Sequence, residues 1–332
     1  AMGDSFGYVL RGKDDDAIRS RYGTPGLLDL SQAGKSVHFS SATQLTLYTV
    51  DALVEALEWA NAGVAADEAA CIWLAYLRWL ATQQPPPEHA PPAQPRWIDA
   101  QSVLHHRRYP GAACVRALAG GTMGTVGRPL NPEAKGAGAV MRSAPFGLIP
   151  YISADAAYTM SINGAALTHG HPAARQSAAA FSVLVRALMD GADPAGAAAA
   201  ALDRARLHSA PSPELEDSLG TALDASRRTA VRGTELTSLF GSGALGTGAL
   251  AIGVYAVLAT AGASSPVEHF LSAIRLAANH GGASACTAAV AGNILGAYYG
   301  EACLPLGWLS LMEAPGLIRA IGDSLLKVTS GS

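Results

Sequence analysis

The residues best placed to do chemistry lie between Ala277 and Gly300. Asn279-His280-Gly281-Gly282 has the composition of a tight turn. After it, Ala288, Ala291, Ile294, Leu295 and Tyr298 recur at the three- and four-residue spacings of a helix. Between turn and helix sits Ala283-Ser284-Ala285-Cys286-Thr287, where a helix N-terminus presents its side chains and N–H groups to a ligand. The side chains at that place are small and uncharged. A second candidate, Phe39-Ser40-Ser41-Ala42-Thr43-Gln44-Leu45, reads as a serine-capped loop entering a helix. A third is Lys135-Gly136-Ala137-Gly138-Ala139-Val140-Met141-Arg142, whose glycines suit either close backbone approach to a ligand or a tight helix crossing. A fourth is Thr168-His169-Gly170-His171-Pro172, where two histidines could hold a metal or an anion, cap a helix, or sit in the core.

Two catalytic motifs are matched only in letters. Gly3-Asp4-Ser5 would suit a serine nucleophile, but no strand precedes it and no Asp-x-x-His follows to supply a base. Gly241-Ser242-Gly243-Ala244-Leu245-Gly246 spells a dinucleotide fingerprint, with Glu268 about twenty residues on. The preceding 231–240 stretch is not a hydrophobic strand, and no strand–helix alternation surrounds it. A dinucleotide oxidoreductase is therefore the weakest reading.

The elements that would position these residues are helical. The pattern predicts helices from Ser41 through about Trp59, about 66–82, Ala173 to about Met189, Ala195 to Leu207, and a last one to about Leu326. Pro85 to Pro95 holds six prolines, which excludes helix and predicts a solvated surface loop. From Gly241 to Val267 there is no charge. Its many small polar residues and missing basic flank predict a buried helix rather than a membrane span. Of the 332 residues, 49% are apolar and 15% charged, a balance tilted toward burial in one large domain. A net charge of −3 without a basic block argues against a nucleic-acid surface. Cys71, Cys114, Cys286 and Cys303 form no CxxC pair, so neither a disulfide framework nor a zinc knuckle is expected. A reducing cytoplasm is the expected setting, and no leader pattern opens the chain.

Taken together, these motifs resemble the ADP-ribosylglycohydrolases, enzymes that remove ADP-ribose from modified side chains. The resemblance spans about residues 3–326 in five or six motifs in the right order. Gly3-Asp4-Ser5-Phe6-Gly7 and Ile18-Arg19-Ser20-Arg21-Tyr22-Gly23 match its N-terminal elements, with Asp4 in a structural role. Arg108-Tyr109-Pro110-Gly111 and Pro305-Leu306-Gly307-Trp308-Leu309 match further on. The family's last motif reads Asn-x-Gly-Gly-Asp-x-Asp-Thr/Ser, so its two metal-binding aspartates fall on Ala283 and Ala285 and its third ligand on Cys286. In its first metal motif, Phe39, Ser40, Thr43 and Gln44 match, while the two aspartates have become Ser41 and Ala42.

The resemblance implies a single all-α domain over 1–332, a compact orthogonal helical bundle with a Pro-rich loop at 85–95. It also implies a cleft for ADP-ribose, wrapped by Gly138, Ala139, Val140 and Met141 and touched by His169. Members of the family hold two Mg²⁺ on hard oxygen ligands, and this chain offers methyl, hydroxyl and thiol groups instead. We therefore expect no metal cofactor, with degenerate ligand positions Ser40, Ser41, Ala42, Ala283, Ala285 and Cys286. Ser40, Ser41 and Ser284 are expected to hydrogen-bond the ribose in place of metals. The expected partners are ADP-ribose or an ADP-ribosylated protein, with no nucleic acid and no membrane, and the chain is expected to be a monomer. Three readings follow in order: an inactive relative that binds an ADP-ribosyl ligand; a hydrolase with a rearranged, metal-independent site; and an interaction protein with a vestigial cavity that docks through the Pro-rich loop.

Overall fold

The helix Gly246–Ala259 has no polar face, and every residue from Gly246 to Val257 is buried. A helix that is apolar all round belongs at the centre of a helical protein. Here the helices Pro172–Met189, Pro213–Ala225, Pro266–Ala278 and Ser284–Tyr299 pack around it. The computed structural model describes residues 1–330. Among them are sixteen α-helices, five 3₁₀ turns and no strand, only isolated bridges joining Val37 to Met312 and Gly136 to Leu245. The architecture is the all-α single domain expected. Without a parallel sheet, the Gly241–Gly246 fingerprint has no dinucleotide site to serve.

Local chemistry sets where most helices begin. Pro172, Pro194, Pro213 and Pro266 each stand at the first helical position, where a missing N–H costs nothing. The residues before them, His171, Asp193, Ser212 and Ser265, each accept a hydrogen bond from an N–H of the first turn.

The uncharged Gly241–Val267 stretch departs from expectation. It is not one helix, because the chain turns after Ala259 and restarts at Pro266. Thr260 bends its hydroxyl back to the Ala256 carbonyl at 2.7 Å, and Ser265 caps the next helix. No helix among the described residues is long and apolar enough to cross a membrane.

Two crossings place the N-terminal helix Met2–Val9. Gly3 and Gly7, one turn apart on the same face, lie against the Ser284–Tyr299 helix. A Cβ on Gly3 would sit 2.1 Å from the Ala288 carbonyl oxygen, and one on Gly7 2.1 Å from that of Ser284. Asp4, 1% exposed, turns to the other neighbour. It accepts from the Ser40 hydroxyl (2.6 Å), the Ser40 N–H (2.9 Å), the Thr43 hydroxyl (2.7 Å) and the Thr43 N–H (3.2 Å). One carboxylate thus caps the start of helix Ser41–Asn61 from a different helix.

That helix and Glu68–Gln83 organise a second apolar cluster. A buried ion network ties them to the chain leaving the proline-rich loop. Asp51, fully buried, accepts from Arg78 at 2.6 Å and Arg96 at 2.8 Å. Arg78 also reaches Asp99, and Arg96 reaches Glu58. Residues 85–95 form neither helix nor strand and lie at the surface.

Candidate functional site

The turn Asn279–Gly282 is held on three sides. Asn279 accepts from Leu27 N–H at 2.8 Å and donates to the Leu27 carbonyl at 2.9 Å. His280 accepts from Gly282 N–H through Nδ1 and meets the Thr287 hydroxyl through Nε2 at 3.0 Å. The Ala283 N–H donates to the Ser242 carbonyl at 2.7 Å, and a Cβ on Gly282 would fall 2.2 Å from that same oxygen. The Gly241–Gly246 stretch is therefore the strap that packs on this turn. It also pairs with the glycine-rich loop, through Ala137 N–H to the Ala244 carbonyl (3.0 Å) and Gly246 N–H to the Lys135 carbonyl (2.9 Å).

These segments enclose a cavity of about 350 Å³ at the N-terminus of helix Ser284–Tyr299. Ser40, Ser41, Gly138, Met141, His169 and Ser284 line it, as do the degenerate positions Ala283, Ala285 and Cys286. Residues far apart in sequence are thus brought to one place.

Three expected positions lie elsewhere. After Gly138 the chain tightens, with Met141 N–H bonded to the Ala137 carbonyl at 3.1 Å, and enters the 3₁₀ turn Val140–Arg142. That turn drives Ala139 and Val140 into the hydrophobic core, and neither lines the cavity. Ala42, 2% exposed, lines a separate cavity of about 190 Å³ instead.

His169 sits at the end of a fixed relay. Arg142, 2% exposed, has no carboxylate within ion-pair distance among the described residues. It donates to the Thr168 hydroxyl at 2.6 Å, to the Gly164 carbonyl and to the Cys114 sulfur, and its guanidinium lies 4.4 Å over the Tyr76 ring. The Thr168 hydroxyl has no other acceptor among the described residues, so its hydrogen goes to His169 Nδ1, 2.8 Å away. That assigns the imidazole proton to Nε2. Burial, with Arg142 nearby, pushes the His169 pKa down to about 3, so the ring is a neutral Nε2–H donor. A Cβ on Gly138 would lie 2.8 Å from His169 Cε1, so the close neighbour that demands this glycine is the imidazole.

Two of the residues lining the cavity carry a polar atom without a protein partner. Nε2 of His169, a residue 2% exposed, makes no hydrogen bond among the described residues. The Ser284 hydroxyl, on a residue 1% exposed, differs: its oxygen is sealed off from the cavity and has no partner. A buried polar group without a partner costs about 1–3 kcal/mol, and such groups call for an explanation. Cys286 offers little reactivity. Desolvation, then the charge of Asp4, pushes its thiol up to about 12.

Sequence reasoning missed the cavity's mouth. Tyr8, Arg11 and Tyr109 line it. The Arg11 guanidinium lies 3.2 Å from the Tyr109 ring centroid, and Tyr8 meets that ring edge-on at 6.0 Å. Among the described residues, Arg11 is the only fully charged side chain lining the cavity. The sole local signal was Tyr109's place before Pro110-Gly111; nothing near Arg11 marks it.

Fold and site together define an all-helical protein with a cleft lined by the first helix, the starts of helices Ser41–Asn61 and Ser284–Tyr299, and the loops between them. A family model of the ADP-ribosylglycohydrolases matches residues 1–332. One solved structure, described as an ADP-ribosylglycohydrolase-related protein complex, superposes with a TM-score of 0.64 at 19% identity. The match covers 99% of this chain and 94% of that one, and at such identity it speaks for the fold alone. No curated protein matches in sequence. The chain belongs to the ADP-ribosylglycohydrolase family.

The magnesium pair that the family implies does not fit these residues. Ser40 gives its hydroxyl hydrogen to Asp4, and Ser41 donates to the Tyr109 carbonyl at 3.1 Å. Ala283 and Ala285 offer methyl groups, Cys286 a soft sulfur, and the Asp4 carboxylate is already taken up by four donors. No group of three or more His, Cys, Asp or Glu side chains converges among the described residues.

Proposed function

We propose that this family member binds ADP-ribose, or an ADP-ribosyl group on a protein, without a divalent metal and without hydrolysing it at a useful rate. The observation that carries this reading is a cavity wall that holds no carboxylate among the described residues and leaves the His169 Nε2–H donor without a protein partner. A neutral donor of this kind suits ribose hydroxyls. Four family aspartates and two Mg²⁺ sum to no net charge, and so do the four neutral residues at those positions. Losing both together leaves nothing to repel a pyrophosphate.

The same features argue against turnover. In the assigned tautomer His169 presents a proton rather than a lone pair, so it cannot act as a base toward water. Among the described residues, no carboxylate and no other histidine lines the cavity. Metal-assisted activation of water supplies several kcal/mol in enzymes of this kind, and no residue here replaces it.

Calorimetry with ADP-ribose in EDTA and in millimolar Mg²⁺ tests the binding. Equal affinity in both conditions is expected. No heat in either removes the reading, and binding only with Mg²⁺ means the ligand shell is wrong. Release of ADP-ribose from an ADP-ribosylated peptide, followed over hours, is expected to stay at the level of a protein-free control.

A further inference from the structure

The mouth of the cavity carries its one full charge in an unusual setting. Arg11 follows the Met2–Val9 helix and is exposed. Its guanidinium has no ion pair and no hydrogen bond among the described residues; its Cζ lies over the Tyr109 ring, 3.2 Å from the centroid. Tyr109 is 60% exposed and holds φ at +53°, a left-handed backbone that an aromatic residue rarely adopts. The conformation is held by Ser41, whose N–H donates to the Arg108 carbonyl and whose hydroxyl donates to the Tyr109 carbonyl, both at 3.1 Å. Strain maintained by neighbours at a cavity rim points to a functional use of the residue placed there. The same serine that lines the cavity therefore sets the ring at its mouth.

Resting on the binding reading above, we propose that Arg11 and Tyr109 form an anion-recognition clamp. Arg11 takes the negatively charged phosphates of the ligand at the mouth, while the neutral His169 donor inside takes its hydroxyl-bearing end. Three features support this division. The interior holds no charge, so a phosphate gains nothing by going deeper. An arginine resting on a ring face keeps its five N–H donors in a plane and free at their edge, ready for a bidentate phosphate contact. The ring beneath it can hold the arginine or, once the arginine swings to the phosphate, stack on a planar base. Ligand class follows: a phosphorylated nucleoside or ribosyl compound is preferred over its uncharged counterpart.

The test titrates ADP-ribose and adenosine into the wild-type protein, R11A, R11K and Y109L, at low and high salt. Thermal melts confirm that each variant is folded, as expected for exposed positions. The wild type is expected to bind ADP-ribose at least 10-fold more tightly than adenosine, with an affinity that falls as salt rises. R11A is expected to lose most of that preference and most of the salt dependence while leaving adenosine affinity unchanged. R11K should keep the salt dependence but bind more weakly than the wild type. Y109L should weaken both ligands. If the wild type binds ADP-ribose and R11A binds it equally well with the same salt dependence, the clamp is wrong and the binding reading survives. If the wild type binds neither compound, both fall together.

Discussion

At the scale of single residues, Asp4 shows how a charged side chain near a cleft can be structural. All four of its contacts go to the segment that begins helix Ser41–Asn61. Asp4→Ala leaves those donors buried without a partner. Hydrogen bonds to a charged group contribute about 1.5–3 kcal/mol each and are not additive. A loss of at least about 3 kcal/mol in urea unfolding is expected. His169 makes the complementary point, since its chemistry is decided by a neighbour it follows in sequence. Long-range ¹H–¹⁵N spectra of the wild type should show Nδ1 bare and Nε2 protonated. Thr168→Val removes the hydroxyl that Nδ1 accepts from and an acceptor from Arg142. The expected result is a mixed tautomer signal and weaker ADP-ribose binding. An unchanged Nε2–H signature would mean the relay does not set the ring.

At the scale of elements, glycine spacing rather than apolar patterning sets how the first and last motifs meet. Gly3 and Gly7 let the Met2–Val9 helix ride directly on the backbone of Ser284–Tyr299. Gly7→Ala puts a methyl 2.1 Å from a carbonyl oxygen, so the helices must separate just beside Ser284. Overpacking of this kind costs about 1–3 kcal/mol, and ligand affinity should fall with it. Gly296, in the same helix, has nothing within 4 Å of where its Cβ would be. Gly296→Ala should therefore stabilise the protein by up to about 1 kcal/mol, through helix propensity alone. Melting temperatures of the two variants moving in opposite directions would support this; movement in the same direction would refute it.

At the scale of the whole molecule, buried neutral histidines make stability depend on pH. Burial holds His280 down to about 4 and His169 down to about 3, against an ordinary value of 6.5. The folded state refuses protons that the unfolded chain takes up below about pH 6.5. Their contribution is therefore fully present above that pH and is lost as pH falls toward the folded values. Each histidine costs about 1.4 kcal/mol per pH unit through this window. Between about pH 6.5 and 4.5 the two together remove on the order of 5 kcal/mol. Urea midpoints should drop accordingly, and the drop should shrink in the double variant H169N/H280N. An equal drop in that variant would place the pH dependence elsewhere.

Much of the fold was legible in the chain itself, because its signals are local. The serine cap before the helix at Ser41, helical spacing after Gly282, and proline crowding at 85–95 each act within a few residues. The absence of acidic oxygen at Ser41, Ala42, Ala283 and Ala285 is likewise a property of the chain, independent of how it folds. What only the tertiary structure decided are contacts between segments tens to hundreds of residues apart. It turned Ala139 and Val140 into the core, gave Ala42 to a second cavity, and brought Arg11 onto Tyr109. It also left His169 Nε2 without a protein partner on the cavity wall and the Ser284 hydroxyl sealed off without one. Side-chain direction and hydrogen-bond satisfaction depend on what packs opposite, and in a helical protein that partner is set by crossings such as Gly7 on Ser284, which no local pattern encodes.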